Sequence, residues 1–250
     1  MLQASRNEII LRELRAGRPL KVAELSSRLG VSVDTVRRDL KALDAAGQLK
    51  YVRGGACLPD TMLAFSSFSG REIDHADLKR AAAVKAAQLV KEGQVVAMNS
   101  GTTNAILASE LAKLAIPFTV VTNNLAAAAA LMASPAIRLF CIGGMVDGAE
   151  RSTFGSQCVQ EFSDYLPDLS FLSLNAVSLD SGFTDFRLSE IPVIKALVKG
   201  SKQVCAVMDS TKLGRVSKKR VLDFDDVDLL VTDDPGKARG IFGEKGLQVR

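Results

Sequence analysis

Leu25-Ser26-Ser27-Arg28-Leu29-Gly30-Val31-Ser32-Val33-Asp34-Thr35-Val36-Arg37-Arg38-Asp39-Leu40 is the stretch on which the reading of this 250-residue chain turns. Val22, Leu25 and Leu29 stand at helical spacing, which predicts a short helix over residues 22–29. Gly30 supplies the turn that follows, because a residue without Cβ takes positive φ at little cost. Ser32 is a good N-cap for a second helix, whose apolar positions Val36, Leu40 and Leu43 recur at i, i+4 and i+7. Asp34 in its first turn suits the helix dipole. The outward face carries Thr35, Arg37, Arg38 and Lys41. A short basic helix entered through a tight turn from another short helix can lie in a major groove with its N-terminal residues on base edges. The candidate contacts to double-stranded DNA are therefore Lys21, Ser32, Val33, Asp34, Thr35, Arg37, Arg38 and Lys41. The competing reading is a solvated basic face on an ordinary three-helix bundle, and either arginine has Asp34 or Asp39 within reach as an ion-pair partner.

Upstream, residues 5–16 read as a first helix with Ile9, Ile10 and Leu14 on its apolar side, stopped by Gly17. Downstream, Gln48-Leu49-Lys50-Tyr51-Val52-Arg53 is strand-like and ends at Gly54-Gly55. It reads as a small β-wing, with Lys50, Arg53 and Gly54 placed at the phosphates. Charge supports this division. Residues 1–57 hold 11 Lys/Arg against 6 Asp/Glu, and the remainder holds 21 against 22, so the whole +4 excess comes from the first fifth of the chain. That asymmetry predicts a polyanion partner for the N-terminal piece alone.

With 47% hydrophobic and 24% charged residues, the chain has enough apolar material for a core without disulfides. Cys57, Cys141, Cys158 and Cys205 are widely spaced, form no C-x-x-C pair, and have only His75 as a histidine companion. Buried reduced thiols are expected in place of a metal site, which fits a cytoplasmic protein. Arg12, Glu13 and Arg15 interrupt any apolar leader, and the alanine-rich stretch 125–133 is far too short to span a bilayer, so no membrane association is expected.

Residues 1–57 thus read as one domain, its helix-turn-helix at about 20–40, and residues 58–72 as a linker carrying Pro59, Phe65 and Phe68. Residues 73–250 read as a second domain. It opens with a helix over 73–91, after which apolar strands alternate with helices. Strands are expected at 95–98, 118–122, 137–142, 169–177, 203–208 and 227–231, and helices at 103–114, 125–132, 156–165, 190–199 and 235–242. Near-continuous apolar strands imply a mostly parallel sheet covered on both faces, with ligands at the carboxyl ends of the strands.

The loop after the first of these strands is Asn99-Ser100-Gly101-Thr102-Thr103. Its small residues let backbone approach a ligand, its hydroxyls can donate, and the next helix presents free N–H groups, a combination that suits a phosphate. An N-capped turn without ligand is the alternative. No Walker lysine and no G-x-G-x-x-G occur here, so no nucleotide cofactor is expected. Other strand ends add Asn123, Asn124, Gly143, Asp180 and Lys212, the last able to act as a point charge on a phosphate. Taken singly, the asparagines, Gly143 and Asp180 read equally as loop formers. An isomerase is the rival class, since an enediol mechanism needs a carboxylate base and an electrophile. Asp180 with Lys212 is the sole pair available for it, so no catalytic residue is assigned.

The run from Glu24 to Leu40, with Gly47 and Arg53-Gly54-Gly55-Ala56, resembles the winged helix-turn-helix of the DeoR family of regulators. Ser26 stands where an alanine is usual there, and Lys50 where an arginine is. The resemblance continues through Arg71, Lys79, the 100–103 loop, Thr122-Asn123-Asn124, Gly143-Gly144 and Asp209-Ser210-Thr211-Lys212. It implies a sensor domain similar to ribose-phosphate isomerases, a phosphorylated sugar as effector and repression as the mode of control, and the two-domain layout adds the expectation of a homo-oligomer, a dimer or tetramer, on operator DNA. Asn99 replaces the usual aspartate, and Gly182-Phe183-Thr184-Asp185-Phe186 departs from the common pattern.

Overall fold

In the computed structural model, which describes residues 2–15, 20–46, 48–52, 54–57 and 68–250, the first unit runs over residues 1–76. It contains α1 (Gln3–Arg15), β1 (Leu20–Lys21), α2 (Val22–Leu29), α3 (Val33–Ala45), β2 (Lys50–Val52), β3 (Gly55–Cys57) and α4 (Phe68–Ile73). Gly30 takes φ 64°, the left-handed turn required between α2 and α3. The Ser26 hydroxyl braces that turn by donating to the Val31 carbonyl at 2.6 Å, which an alanine cannot do. Ser32 caps α3, accepting from the Thr35 amide at 3.2 Å. Ile10, Leu14, Leu25, Val36, Leu40 and Leu43 pack into the core of this unit, as their spacing predicts.

The wing is larger than the sequence suggests. A three-stranded antiparallel sheet has the order β1-β3-β2, with Leu20 opposite Ala56 and Tyr51 opposite Ala56 on the other side. Gly55, expected in the turn, lies within β3 and faces β1. A two-residue strand such as β1 leaves no periodic trace. Arg53, Gly17, Gly47 and residues 58–67, including Phe65, lie outside the described residues, as does the Lys50 side chain.

The second unit, residues 77–250, opens on α5 (Ala76–Ala87) and alternates through β4 (Val95–Met98), α6 (Thr102–Leu111), β5 (Phe118–Thr122), α7 (Leu125–Leu131) and β6 (Ile137–Cys141). A hairpin of β7 (Met145–Asp147) and β8 (Ser152–Phe154) leads to α8 (Ser156–Ser163) and β9 (Leu169–Leu172). Then come β10 (Ala176–Ser178), β11 (Gly182–Asp185), α9 (Ile191–Gly200), β12 (Val204–Val207), β13 (Lys219–Leu222), β14 (Leu229–Val231), α10 (Pro235–Phe242) and β15 (Gln248–Val249). Seven strands form one parallel sheet in the order β15-β14-β12-β9-β4-β5-β6. Successive residues alternate between two cores. Val96, Met98, Val120 and Phe171 pack with α5, α6 and α7, whereas Ala97, Val121 and Leu172 pack with α8, α9 and α10. Both faces are covered, which is why the strands read as unbroken apolar runs.

Three expectations need correction. The strand expected at 169–177 breaks after Leu172, and β10 leaves to join β11 and β13 in a separate antiparallel sheet. The helix expected at 73–91 is shorter, and His75 at φ 51° separates α4 from α5. Cys141 is exposed on edge strand β6, while Cys158 and Cys205 are buried as expected. Burial pushes the Cys158 thiol up to about 11. No helix among the described residues is long and apolar enough to cross a membrane.

Two outcomes follow from these contacts. Alkylation at neutral pH should mark Cys141 and spare Cys158 and Cys205 until the chain is denatured, as peptide mass mapping will read; equal labelling of all three contradicts the burial described. A Cβ at Gly55 would run into the Leu20 carbonyl oxygen, so Gly55→Ala should destabilise the wing by on the order of 1–3 kcal/mol. An unfolding midpoint unchanged from wild type would contradict the β1–β3 pairing.

Candidate DNA surface and sensor crevice

On α3 the sequence-predicted residues divide by burial. Val36, Asp39, Leu40 and Leu43 face inward, and Val33, Asp34, Arg37, Arg38 and Lys41 are exposed, with Thr35 half-buried. Arg6 holds the buried Asp39 through a two-pronged pair, Nε to Oδ2 at 2.6 Å and Nη2 to Oδ1 at 3.1 Å, which locks α1 to α3. Asp39 is thereby removed from competition for the outer arginines. Arg37 reaches Asp34 at 3.2 Å in an exposed pair, a weak contact that a phosphate or base edge can displace. No carboxylate among the described residues lies within 4.0 Å of Arg38 or Lys41. Ser32 is occupied in capping, its hydroxyl 2.8 Å from that of Thr35. Lys21 sits at the start of α2 with Glu24 at 3.4 Å, and Gly54 turns the wing at φ 97°.

The second candidate site follows from the sheet order. From β4 the chain moves to β5 and β6 on one side, while β9, β12 and β14 extend on the other. The loops leaving β4 and β9 therefore diverge, opening a crevice at the topological switch point where ligands of such sheets bind. Asn99, Ser100, Gly101, Thr102 and Thr103 lie there and are buried. Gly101 is required by two constraints. Its φ is 123°, and a Cβ would stand 2.5 Å from the Ser173 hydroxyl and 3.0 Å from Arg187. It starts α6 without a side-chain cap, in contrast to α7, where Asn124 accepts from the Ala127 amide at 3.0 Å. The first turn of α6 thus begins at the switch point without a side-chain cap.

Asn123 and Asn124 join this loop. Asn124 donates to the Gly101 carbonyl at 3.0 Å, and Asn123 donates to the Thr153 carbonyl at 2.8 Å and to Glu190 at 3.2 Å. The buried Oδ1 atoms of Asn123 and Asn104 accept no hydrogen bond. Lys212 enters from the opposite wall, Nζ donating to the Leu174 carbonyl at 3.1 Å and to the Thr103 hydroxyl at 3.5 Å, with Asp209 at 3.8 Å. Asn99 is engaged by the protein itself. Its amide donates to the Ser173 carbonyl at 3.2 Å and accepts from the Ser173 amide at 2.8 Å and from Asn104 at 3.0 Å. Gly143 is farther out beyond β6, its amide donating to Glu161 at 3.3 Å. Asp180 occupies the exposed β10–β11 turn, its carbonyl bonded by Arg220 at 2.9 Å, away from the contacts that gather Lys212 and the loop.

Sequence reading missed the residues that hold the loop. Arg187 donates to the Ser100 carbonyl at 3.1 Å, the Ser100 hydroxyl at 3.0 Å and the Ser173 carbonyl at 2.8 Å. Asp185 holds the same guanidinium at 2.7 and 3.0 Å. Glu190 accepts the Ser100 amide at 2.7 Å. Burial alone would raise the Asp185 carboxyl, but the Arg187 charge and hydrogen bonds outweigh it and hold it below the usual carboxylate range. Burial pushes Glu190 the other way, above that range, against the pull of Arg187 and its hydrogen bonds. The one local signal was three charged residues, Asp185, Arg187 and Glu190, crowded before an apolar helix.

Comparison with known proteins identifies the domains that carry these residues. A model of the DeoR C-terminal sensor domain matches residues 74–234, and a model of the DeoR-like helix-turn-helix domain matches residues 6–62. The HTH-type transcriptional regulator GolR of Listeria innocua is 32% identical over 234 residues, covering 94% of this chain and 92% of that protein. The HTH-type transcriptional repressor GlcR of Bacillus subtilis is 30% identical, covering 93% and 89%. Among solved structures, ribose 5-phosphate isomerase A of Methanocaldococcus jannaschii is similar at 18% identity and a TM-score of 0.42, over 56% of this chain and 55% of that one, a likeness too loose to speak to function. With both domain models matched in order and relatives aligned along nearly its whole length, the chain belongs to the DeoR family of transcriptional regulators.

Proposed function

We propose that this regulator represses a carbohydrate-catabolism operon in the cytoplasm and is released from its operator by a phosphorylated sugar. The observation that carries the effector is the buried loop at the switch point. Small residues, uncapped α6 amides and Lys212 converge there, and two buried asparagine oxygens wait without donors. Amides and an ammonium suit a phosphate, and the asparagine oxygens suit sugar hydroxyls. Asn99, Ser100, Gly101, Thr102, Thr103, Asn123, Asn124 and Lys212 would form this effector site. We place Gly143 at its rim and leave Asp180 outside it.

For DNA, the exposed face of α3 would read bases through Val33, Thr35, Arg37, Arg38 and Lys41, while Lys21, Lys50, Arg53 and Gly54 meet phosphates. Dimers would set two such helices on half-sites about one helical turn apart, or a multiple of it. Effector binding would favour an arrangement that no longer matches the spacing. The second unit would then act as a sensor: among the described residues the carboxylate beside Lys212 is Asp209, at 3.8 Å, and Asp180 bonds Arg220 through its carbonyl.

Two experiments test this reading. Replacing Thr35 or Arg37 should change the preferred base pairs, by about 1–3 kcal/mol at the affected position. Replacing Lys50 or Arg53 should weaken binding on all sequences and flatten the log–log salt slope by roughly one per contact. A uniform loss for all four would sink the division of roles. Second, pentose and hexose phosphates should raise the melting temperature and lower operator affinity without being turned over. Lys212→Met should weaken this response about tenfold or more, and Gly101→Ala should abolish it. Turnover lost on changing Lys212, or operator affinity indifferent to every phosphate, would overturn the sensor reading.

A further inference from the structure

Among the contacts described above, the charges around the loop nearly cancel. Arg187 and Lys212 bring two positive charges, and Asp185, Glu190 and Asp209 bring three negative ones. With Glu190 ionised the sum is −1, and with it protonated the sum is zero. Apart from the fractional charge at the α6 N-terminus, roughly half a unit, these groups give an approaching anion little reason to arrive.

Just past Lys212 the chain changes character. Residues 210–222 hold five Lys/Arg and no Asp/Glu, whereas the rest of 77–250 holds 15 against 19. Arg220 is engaged by Asp223 at 3.4 Å and the Asp180 carbonyl at 2.9 Å. Arg215, Lys218 and Lys219 are exposed, and no carboxylate among the described residues lies within 4.0 Å of them. Backbone bonds fix this strip beside the crevice. The Gly214 amide donates to the Val177 carbonyl at 2.8 Å, the Ser217 amide to the Thr184 hydroxyl at 2.8 Å, and Lys219 pairs with Asp185 in the β11–β13 ladder. Asp185 is the residue that grips Arg187, and Arg187 grips the loop.

We propose that Arg215, Lys218 and Lys219 form the approach surface for the effector, a cationic strip that draws a phosphate ester to a loop whose own charges do not attract it. The inference rests on the sugar-phosphate reading above. Exposed, unpaired cations hold no fixed geometry, so they act on encounter more than on residence. Their field adds at the crevice mouth, where it concentrates an anion before contact and raises the association rate.

The test uses the full chain and a triple variant, R215S/K218S/K219S, with ribose 5-phosphate, glucose 6-phosphate and fructose 6-phosphate as probes and ribose as the uncharged control. Association and dissociation rates are measured at about 10 mM and about 1 M salt, where the screening length falls from roughly 30 to 3 Å. The variant should associate with the phosphate about tenfold more slowly at low salt, the difference vanishing at high salt. Dissociation should stay within about twofold. The charge-retaining variant R215K/K218R/K219R should keep the wild-type rate, which separates charge from packing. If wild type binds a phosphate and the triple variant associates as fast, the approach surface is overturned while the effector reading stands. If no phosphate binds wild type, both fall. A variant that loses only salt-dependent affinity for duplex DNA, with effector rates unchanged, assigns the strip to DNA and overturns this inference.

Discussion

The geometry of the sensor crevice depends on one buried guanidinium. Arg187 bonds Ser100 and Ser173, at the start of the two loops that part company at the sheet's switch point. Parallel strands ending side by side do not by themselves fix how their loops separate. A fork of N–H donors does, because it satisfies carbonyls from both at once. Such a cation is tolerable in the interior only if its charge is met there, and Asp185 meets it with both oxygens. Glu190 completes the clamp from the helix side by holding the Ser100 amide. The loop is thereby shaped before any ligand arrives, and a ligand need not order it.

The first unit solves its own version of the problem. Its outward helix must be basic, yet a basic helix beside acidic residues neutralises itself. Asp39, one of the two carboxylates on α3 closest to the arginines, is turned inward and consumed by Arg6. The pair joins the first helix to the third and clears the outer face in the same contact. What remains outside is Asp34, whose hold on Arg37 is solvent-exposed and easily exchanged.

Much of this was legible from sequence where the determining contacts are local. The turn at Gly30, the cap at Ser32 and the apolar stripe of α3 lie within about one helix length of each other, and the structure reproduces them. The alternation of parallel strands and helices was legible because burial on both faces leaves unbroken apolar runs. The break after Leu172 was not, since the ladder ends where Asn99, 74 residues earlier, takes over the Ser173 amide and carbonyl. Arg187 and Glu190 were missed for the same reason, reaching Ser100 across 87 and 90 residues. Strands of two to four residues, such as β1, β11 and β13, are too short to show a period at all.

Asn99 illustrates how a position at a ligand loop can also carry the fold. Placed at the head of a ligand loop, and an amide where the resembling family usually has an acid, it suggests a change in what the ligand must offer. Its bonds describe a second duty. One side chain imitates a length of neighbouring strand, giving and taking a hydrogen bond with the same residue, Ser173. A carboxylate can take but not give, so an aspartate here would need the Ser173 carbonyl to find its second partner elsewhere, and Arg187 already stands beside it. The identity of residue 99 therefore reports first on how the sheet is fastened across its dividing line.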